Sequence, residues 1–329
     1  MLILAAADVQ AVLDRGALIE AVAAGLVELS AGTASVPPRV AAAISEKNAL
    51  LAAMPGHLAG QGVLGAKLVS VYPGNAGSRW PTHQAVVVLF DPDTGAPEAL
   101  LDGTALTAER TAAASAVATR ILGDREASVL AILGTGVQAR AHALTVSRVC
   151  PSLREVRIAG RNEAKAVALA EELASILSVH VRAVPGFADA LSGAGVVCAT
   201  TESPDPVVRR EWLAPGAHVN SVGFNVHGRE VDDATVCSAF VVVESRTSAL
   251  APVPAGANDL LWPISEGLIG PDHIRAELGE LVMGAVPGPT SSDQLTLFKS
   301  VGVAAEDLAA AWLVVTAARK RGIGRSVDL

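Results

Sequence analysis

The stretch Ser128–Val149, SVLAILGTGVQARAHALTVSRV, decides the fold of the central part of the chain. Its apolar run, Val129–Leu133, is typical of a buried strand. A GxGxxA turn from Gly134 to Ala139 follows and leads into a helical pattern. Gly134 allows a tight turn, Gly136 lets a phosphate approach the backbone, and Ala139 lets the helix lie close to the strand. Strand, glycine turn and helix in this order indicate a dinucleotide-binding unit, with an ordinary tight turn as the alternative.

The bulk composition favours a protein with large cores. The chain has 329 residues, enough for two domains, and is 51% hydrophobic and 18% charged,. A net charge of -8 without a basic run argues against nucleic-acid binding,. Neither a signal peptide nor an uninterrupted membrane-spanning run is visible. We therefore expect a cytoplasmic protein with no nucleic-acid or membrane partner.

The three cysteines predict neither a disulfide framework nor a metal site. Cys150, Cys198 and Cys237 show no CxxC spacing and lie in apolar sequence. Buried free thiols in a reducing compartment are the expected state. No cluster with metal-ligand spacing is visible elsewhere, so no metal is expected.

The first third of the chain predicts helices followed by a mainly antiparallel sheet. Residues 1–30 are predicted to be helical, with Asp8 as the cap. A turn at residues 91–95 separates two strands of a hairpin. The predicted strands, and the Ala-rich helix after them, are Val40–Ile44, Ala49–Met54, Val63–Tyr72, Ala85–Phe90, Glu98–Leu101 and helix Thr104–Leu122.

Strands alternate with helices after the glycine turn, which indicates a parallel sheet covered on both faces. The stripe Val137, Ala141 and Leu144 is predicted to face this sheet. Helices are also predicted at His273–Met283 and at Ala304–Arg321, the latter ending at Gly322. The predicted strands after Val129–Leu133 are Val156–Ala159, Val179–Val184, Val196–Thr200, His218–Val222, Phe240–Glu244 and Leu295–Phe298.

The tip of the second strand of this sheet bears on the choice of cofactor. In NAD-binding units an acidic residue at this tip accepts hydrogen bonds from the ribose hydroxyls. Here the strand ends in Gly160-Arg161-Asn162, and no acid occurs until Glu163. A guanidinium fork suits a 2′-phosphate. We therefore infer NADP(H) rather than NAD(H), with Arg161 as the phosphate ligand; a solvated loop arginine is the alternative.

Three basic residues form a candidate site for a small carboxylate. Lys67 lies in the apolar strand sequence VLGAKLVSVY, where a buried ammonium is costly unless it is paired or used,. The alternative is a lysine that reaches solvent from a strand end. Arg39 follows two prolines and has a surface arginine as its alternative. Arg110 lies early in the Ala-rich helix, and its alternative is a local charge pair with Glu109 or another neighbour.

The loop after the fifth strand carries further candidates. Asn225 and His227 follow the strand directly, and the carboxyl ends of strands face the ligand crevice in open α/β sheets,. His227 can exchange a proton near neutral pH. The alternative for both is a polar loop that satisfies its own hydrogen bonds.

These residues together resemble the ornithine cyclodeaminase/mu-crystallin family from one end of the chain to the other. The matching pieces, in family order, are Pro38-Arg39, Gly65-Ala66-Lys67, Pro81-Thr82-His83, ERTAAAS from Glu109, GTGVQARAH from Gly134, Gly160-Arg161, Thr200-Thr201, Gly223-Phe224-Asn225, REVD from Arg229, FKSVG from Phe298 and EDLAAA from Glu306.

The resemblance implies an α/β fold in which a Rossmann NADP-binding domain, residues 111–302, accompanies a split α+β domain. That second domain, residues 1–110 and 303–329, would bind substrate and form a homodimer. Arg39, Lys67 and Arg110 match the residues that hold the substrate carboxylate and the reacting centre, and His83 lies near them. The expected cofactor-contacting residues are Thr111, Gly134, Gly136, Val137, Gln138, Arg161, Asn162, Thr201 and Val222, with Ser300 and Val301 beside the nicotinamide.

One departure from the family pattern affects the expected reaction. In cyclodeaminases an aspartate acts as a base at the position where this chain has Asn225. The amide of asparagine cannot act as a base. We therefore expect Lys67 and Asn225 at the reacting centre of a reductase for cyclic imino acids, Δ1-pyrroline-2-carboxylate or Δ1-piperideine-2-carboxylate. The products would be L-proline or L-pipecolate. The alternatives are an ornithine or lysine cyclodeaminase, an alanine-type dehydrogenase and a non-catalytic NADPH-binding protein.

Overall fold

The computed structural model describes residues 1–328. The first elements, in chain order, are β1 Leu2–Leu4, α1 Ala6–Val12, α2 Arg15–Ser30, β2 Ala34–Ser35, β3 Val40–Ile44, β4 Ala49–Leu58, β5 Val63–Val71, β6 His83–Phe90, β7 Pro97–Asp102 and α3 Gly103–Leu122. The remaining elements are β8 Val129–Leu133, α4 Val137–Val146, β9 Glu155–Ala159, α5 Glu163–Ala174, β10 His180–Ala183, α6 Phe187–Leu191, β11 Val196–Ala199, β12 His218–Ser221, α7 Asp233–Ser238, β13 Phe240–Val243, α8 Arg246–Ala249, α9 Asn258–Ser265, β14 Ile274–Glu277, α10 Leu278–Val282, β15 Thr296–Lys299, α11 Ala304–Arg321 and β16 Arg325–Ser326.

The chain divides into two compact units. The first consists of Met1–Arg110 and the segment that begins at Val303, and the second is Thr111–Gly302. The fold is α/β, and the second unit is a Rossmann-type domain with a parallel sheet,. No helix within residues 1–328 has both the length and the apolar character needed to cross a membrane.

A largely antiparallel sheet forms the body of the first unit. The strand order is β16-β1-β7-β6-β5-β4-β2, and β3 also pairs with β4. The exception to the antiparallel pairing is β1, which runs parallel to β7. Helix α11 packs on β4, β5 and β6 and against α2. Leu18, Val22 and Leu26 form a fully buried stripe on α2, so this helix packs with one side towards the core of the unit,.

The predicted helix over residues 1–30 is wrong in part. Leu2–Leu4 forms a strand, and the helical segment is divided at Leu13 into α1 and α2. Asp8 lies at the third helical position, where its carboxylate accepts from the Ala5 N–H, and it is not the cap. Asp14 instead caps α2 by accepting from the Ala17 N–H at 2.8 Å,. Strand Leu2–Leu4 is too short to show a periodicity that would distinguish it from the Ala-rich helix that follows.

The second unit contains an eight-stranded sheet in the order β10-β9-β8-β11-β12-β15-β13-β14. Every pair in this sheet is parallel, so all eight strands present their carboxyl ends at one edge. The order reverses between β8 and β11, the first and fourth strands of the unit along the chain. In an open α/β sheet this reversal is the point where ligands bind.

Three further expectations are corrected in the second unit. The predicted helix His273–Met283 is wrong in its first half, because Ile274–Glu277 pairs with β13 as an edge strand, whereas Leu278–Val282 is helical. Val137 does not face the sheet but is 73% exposed, since it is the first helical residue beyond the end of β8. Cys150 and Cys198 are buried free thiols, whereas Cys237 is exposed at the end of α7.

Candidate functional site

Most of the predicted cofactor residues lie along the carboxyl edge of the parallel sheet. They follow five adjacent strands, β9, β8, β11, β12 and β15, in that spatial order. The residues, in the same order, are Arg161 and Asn162, then Gly134 to Gln138, then Thr201, then Val222, then Ser300 and Val301. Thr111 instead lies buried on α3. Parallel pairing therefore brings together residues that are remote in the sequence.

The glycine turn leaves an open cradle at the start of α4. Gly134 has φ of +121°, and a Cβ there would lie 2.6 Å from the Thr200 hydroxyl, so only glycine fits without strain,. A Cβ on Gly136 would meet nothing within 4 Å. Gly136 precedes α4, and no side chain caps that helix. The N–H groups of the first helical turn are thus available to an anion in the open space.

An unsatisfied polar atom lies in the same turn. Gln138 Oε1 is buried and has no hydrogen-bond partner within residues 1–328. A buried acceptor without a donor costs free energy, so it indicates a group that binds there. The open cradle and the uncapped helix fit a dinucleotide whose phosphates lie at the helix N-terminus, while the Gln138 oxygen requires a hydrogen-bond donor, which a phosphate does not supply.

The tip of β9 is polar and carries a single cation. Arg161 is exposed directly after the strand. Asn162 caps α5, because its Oδ1 accepts from the Lys165 N–H at 3.0 Å,. The Asn162 oxygen is therefore already bonded within the protein, and Arg161 is the charged residue at this tip that a ligand could contact.

Two buried glutamates, which were not predicted from the sequence, bind the other strand ends. Glu230 accepts hydrogen bonds from the Thr201 N–H and hydroxyl at 2.5 and 2.8 Å. Glu244 accepts from the Ser300 hydroxyl at 2.5 Å and from the N–H groups of Val301 and Gly302 at 3.1 Å each. The sequence does contain a signal for Glu244, because an acidic residue directly follows the apolar strand Phe240–Val243. Its hydrogen-bond partners could not be predicted, because they are remote in the sequence.

A second cluster, in the first unit, joins two of the predicted basic residues. Lys67 Nζ lies 2.7 Å from Asp307 Oδ2, and Arg110 Nε lies 2.9 Å from Asp307 Oδ1. Arg110 also pairs with Glu306. Lys67 and Arg110 are only 3% and 5% exposed, so both are buried ions held by one helix end. The alternatives of a solvent-reaching lysine and of an Arg110–Glu109 pair are excluded, and Glu109 pairs with Arg15 instead.

The electrostatics of this cluster set the charge of the lysine. Burial lowers the pKa of Lys67 from 10.5 to about 8; Asp307 opposes this, while Arg110 and Arg39 add to it,. Burial raises the pKa of Asp307, but Arg110 and Lys67 outweigh that effect and hold it below its usual value. Lys67 is thus a cation at neutral pH that can lose its proton within about a unit of that pH.

The register of the sheet places the other two predicted substrate residues. Lys67 is paired with Met54 on one side and with Val87 on the other. Extending the β3–β4 register by one residue puts Arg39 opposite Met54, on the same face as Lys67. His83 shares this face too but lies four residues further along β6, roughly 13 Å away,. Arg39 is thus a neighbour of the cluster, whereas His83 lies at its margin.

Asn225 is bonded both to the loop after β11 and within its own loop. Its Nδ2 donates to the Glu202 carbonyl at 2.9 Å, and its Oδ1 accepts from the His227 N–H at 2.8 Å. The buried Asn258 donates to the carbonyl groups of Asn225, Val226 and Gly228 from the other side. The structure thus shows Asn225 ordering the loop after β12, and its part in a reaction stays a prediction.

Comparison with known proteins agrees with this architecture. The model of the ornithine cyclodeaminase/mu-crystallin family matches residues 1–322. The chain is 38% identical over 297 residues to ketimine reductase mu-crystallin of Mus musculus, covering 90% of this chain and 89% of that protein. A structure of Thermococcus litoralis Δ1-pyrroline-2-carboxylate reductase in complex with NADH and L-proline is 35% identical, with a TM-score of 0.95 over 99% and 100% of the two chains.

A third relative carries a different activity. An archaeal alanine dehydrogenase dimer with bound NAD is 29% identical, with a TM-score of 0.92 over 100% of this chain and 99% of that chain. The same fold thus accompanies reduction of imino acids and oxidation of an amino acid in these proteins. Because the family model spans nearly the whole sequence and relatives above 30% identity cover most of it, the chain belongs to the ornithine cyclodeaminase/mu-crystallin family.

Proposed function

We propose that this protein reduces the C=N bond of a small cyclic imino acid with a nicotinamide dinucleotide. It is an oxidoreductase that acts on carbon–nitrogen bonds, as are the ketimine and pyrroline-2-carboxylate reductases that it resembles over nearly its whole length. The proposed substrates are Δ1-pyrroline-2-carboxylate and Δ1-piperideine-2-carboxylate. The observation that carries the proposal is the buried Lys67–Asp307–Arg110 cluster, which offers fixed cations to a carboxylate and an adjacent imine nitrogen.

The residues of the first unit have separate tasks in this proposal. Arg110 and Arg39 bind the substrate carboxylate, and Asp307 and Glu306 keep the Arg110 guanidinium in one orientation,. Lys67 donates a hydrogen bond to the imine nitrogen, which makes the imine carbon more electrophilic, and supplies the proton that the nitrogen takes up when hydride adds to the carbon,. The dinucleotide, when bound, supplies the hydride. Holding the substrate in a fixed orientation should account for most of the rate acceleration.

We infer that NADP(H) is the preferred cofactor. Arg161 is exposed at the tip of β9, and no carboxylate precedes Glu163 there. A guanidinium binds a 2′-phosphate through paired hydrogen bonds, whereas a missing carboxylate weakens the binding of two free ribose hydroxyls. The solved relatives contain NADH and NAD, so the preference is a property proposed for the Arg161 tip of this chain and not for the family.

We further propose that the protein is a homodimer, formed through one face of the first sheet. Val40, Leu68 and Val86 are 66%, 39% and 39% exposed and lie in one row across β3, β5 and β6, joined through Ala53 of β4. Leu51, 49% exposed, is on the same face. An exposed apolar patch of this kind marks an interface. A second copy is the proposed occupant, since the related alanine dehydrogenase is a dimer.

The remaining proposal concerns location. Cys150 and Cys198 are buried free thiols, and burial raises the pKa of Cys150 to about 11, which keeps it in the unreactive thiol form,. Buried thiols that stay unpaired are typical of a reducing compartment. We therefore assign the protein to the cytoplasm.

A substrate panel tests the function. Purified protein is given NADPH or NADH with each cyclic imine, with pyruvate and ammonium, and with L-ornithine or L-lysine plus NAD(P)⁺. We expect cofactor oxidation only with the imines. Ammonia release from a diamino acid without net cofactor change would make the protein a cyclodeaminase, and strict dependence on ammonium an amino-acid dehydrogenase. A protein that binds NADPH but turns over none of these is a binding protein.

A matched pair of variants tests the residue that carries the proposal. Lys67→Ala should abolish imine reduction and leave NADPH affinity nearly unchanged, because Lys67 belongs to the first unit and the glycine turn to the second. Lys47→Ala removes an exposed lysine of the same unit and should behave as wild type. Normal turnover in Lys67→Ala would exclude the role given to this side chain.

A further inference from the structure

A buried ionic cluster lies at the carboxyl edge of the parallel sheet and is distinct from the residues predicted to bind the cofactor. It consists of Glu230 in the loop before α7, Asp259 on α9 and Lys299 at the end of β15. All three side chains are buried. Lys299 Nζ lies 3.0 Å from Asp259 Oδ2. The cluster thus joins a loop, a helix and a strand end near the predicted cofactor residues.

The Glu230 carboxylate fixes two neighbouring strand ends relative to one another. Its Oε1 accepts from the Thr201 N–H and hydroxyl, after β11. Its Oε2 accepts from the Ser221 hydroxyl at 2.9 Å and from the Gly223 N–H at 2.7 Å, at the end of β12. Four donors on one carboxylate leave it a single position. Val222, between Ser221 and Gly223, is placed by the same bonds.

The other two members hold Glu230 in place. Asp259 Oδ1 accepts from the backbone N–H groups of Glu230 and Val231 at 2.9 and 3.0 Å. Lys299 donates to the Ser221 hydroxyl at 3.0 Å and to the Gly223 carbonyl at 2.8 Å. The Ser221 hydroxyl therefore links the ammonium to the carboxylate. Each charged group in the cluster has its hydrogen bonds satisfied by a strand end or a loop.

The packing around this cluster leaves no room for adjustment. A Cβ on Gly223 would overlap with the Thr201 carbonyl oxygen and with the Glu230 carboxyl group. Burial raises the pKa of Glu230, which Lys299 only partly offsets. Apolar residues of similar size often stabilise a fold as well as a buried ionic cluster does. Stability alone therefore does not explain three buried charges at this edge.

The location of the cluster indicates which half of the dinucleotide lies beside it. Arg161 follows β9, on one side of the central strand β8, and suits the adenosine half of a dinucleotide. Thr201 and Val222 follow β11 and β12, on the other side of the reversal in strand order. A dinucleotide whose pyrophosphate lies at the start of α4 then has its nicotinamide half on the β11–β12 side.

We propose that Glu230 is a positioning residue that fixes Thr201 and Val222 as the wall beside the nicotinamide half of the cofactor. Asp259 and Lys299 act through Glu230 and Ser221 and touch no ligand themselves. The inference rests on the proposed function, because it assumes that a nicotinamide dinucleotide binds to this edge.

The test compares a whole dinucleotide with its fragment that lacks nicotinamide. Affinities are measured by calorimetry for NADPH and 2′-phospho-ADP-ribose, or for NADH and ADP-ribose if wild type prefers NADH. Glu230→Gln replaces one acceptor oxygen with an NH₂ group that faces existing donors. We expect it to weaken binding of the whole dinucleotide by about tenfold and that of the fragment by less than about twofold.

Two further variants complete the design. Ser221→Ala removes the hydroxyl between Lys299 and Glu230 without adding volume, and should show the same selective loss, smaller in size; it decides the question if Glu230→Gln does not fold. Glu155→Gln is the matched control. Glu155 pairs with Arg157 and Arg182 at the amino end of β9, so its loss should leave both affinities unchanged.

Equal weakening of dinucleotide and fragment in both variants would show a merely structural cluster and overturn the proposal. Unchanged affinity for both ligands would do the same. These binding measurements need no substrate. If wild type reduces no imine, the proposed function fails, and the comparison still decides the role of Glu230.

Discussion

At the scale of single residues, the candidate site is built from cations whose partners are remote in the sequence. The strand sequence around Lys67 shows that a buried ammonium needs a partner, but not which one. Asp307, which pairs with both Lys67 and Arg110, lies 197 residues after Arg110. The available signal was Glu306-Asp307, two adjacent acids at the start of an otherwise apolar helix, and both are fully buried. Their pairing follows only from the packing of α11 on the sheet.

The charge of Lys67 predicts a pH dependence. Lys67 is protonated below its pKa of about 8, so kcat/KM for imine reduction should decline as pH rises through that value,. Asp307 raises this pKa, so Asp307→Asn should lower it further and move the alkaline limb to lower pH. The measurement is a pH–rate profile of both proteins. Glu98→Gln, which removes an exposed partner of Arg319, should leave the limb in place. If the alkaline limb stayed in place in Asp307→Asn, it would not report the titration of Lys67.

The cofactor preference depends on one side chain. Arg161→Asp places a carboxylate where ribose hydroxyls can donate to it and repels a 2′-phosphate, so the ratio of kcat/KM values should change from favouring NADPH to favouring NADH. Arg125→Asp alters an exposed arginine between α3 and β8 and is the control. Steady-state kinetics with both cofactors decide this. A preference that stays the same in Arg161→Asp would remove Arg161 from the site.

At the scale of elements, the sequence predicts best where several local signals agree. Strand Val129–Leu133 and helix Ala304–Arg321 have their predicted bounds, because the first is ended by a glycine turn and the second by Gly322 at φ +63°. Strand Ile274–Glu277 was missed. It is only four residues long with polar residues among them, and pairing with β13 decides its conformation. The polar cluster around Glu230 was missed for the same reason, since its bonds join separate segments.

The glycine turn gives a prediction at this scale. Gly134→Ala should lower the free energy of unfolding by about 2–4 kcal/mol, because φ is positive and the new Cβ would press on Thr200,. It should also weaken dinucleotide binding. Gly193 also has a positive φ, +69°, but a Cβ there would meet no atom within 4 Å. Gly193→Ala should therefore lower the free energy of unfolding by only about 1 kcal/mol and leave dinucleotide binding unchanged,. Urea unfolding and calorimetry measure both quantities. Equal losses in the two variants would contradict the account of this turn.

At the scale of the whole molecule, the two units carry different parts of the proposed reaction. The first contains the cations proposed to bind a carboxylate, and the second contains the glycine turn and the strand ends proposed to bind a dinucleotide. The second unit follows from local patterns of strand, turn and helix. The first follows only in part. Its antiparallel strands from β3 to β7 follow from local patterns, but β1 and β16 were not predicted, because they are remote in the sequence from the strands beside them.

The exposed face of the first sheet predicts the state of assembly. Wild type should be a dimer in size-exclusion chromatography with light scattering. Leu68→Lys puts a charge in the middle of the apolar row and should shift the protein to monomers, since burying an unpaired ammonium is costly,. Ile176→Lys changes an apolar residue of the second unit that is 51% exposed, more than Leu68, and this variant should remain dimeric. A monomeric wild type, or a dimeric Leu68→Lys, would place the interface elsewhere or remove it.

The stoichiometry of one reaction shows most directly whether the protein reduces a cyclic imino acid. Purified protein is incubated with Δ1-pyrroline-2-carboxylate and a limiting amount of NADPH or NADH, and the oxidised cofactor and L-proline are quantified together. We expect one L-proline formed per reduced cofactor consumed, with no D-proline and no requirement for ammonium. Cofactor that stays reduced in the presence of this imine and of its six-membered homologue would contradict this expectation.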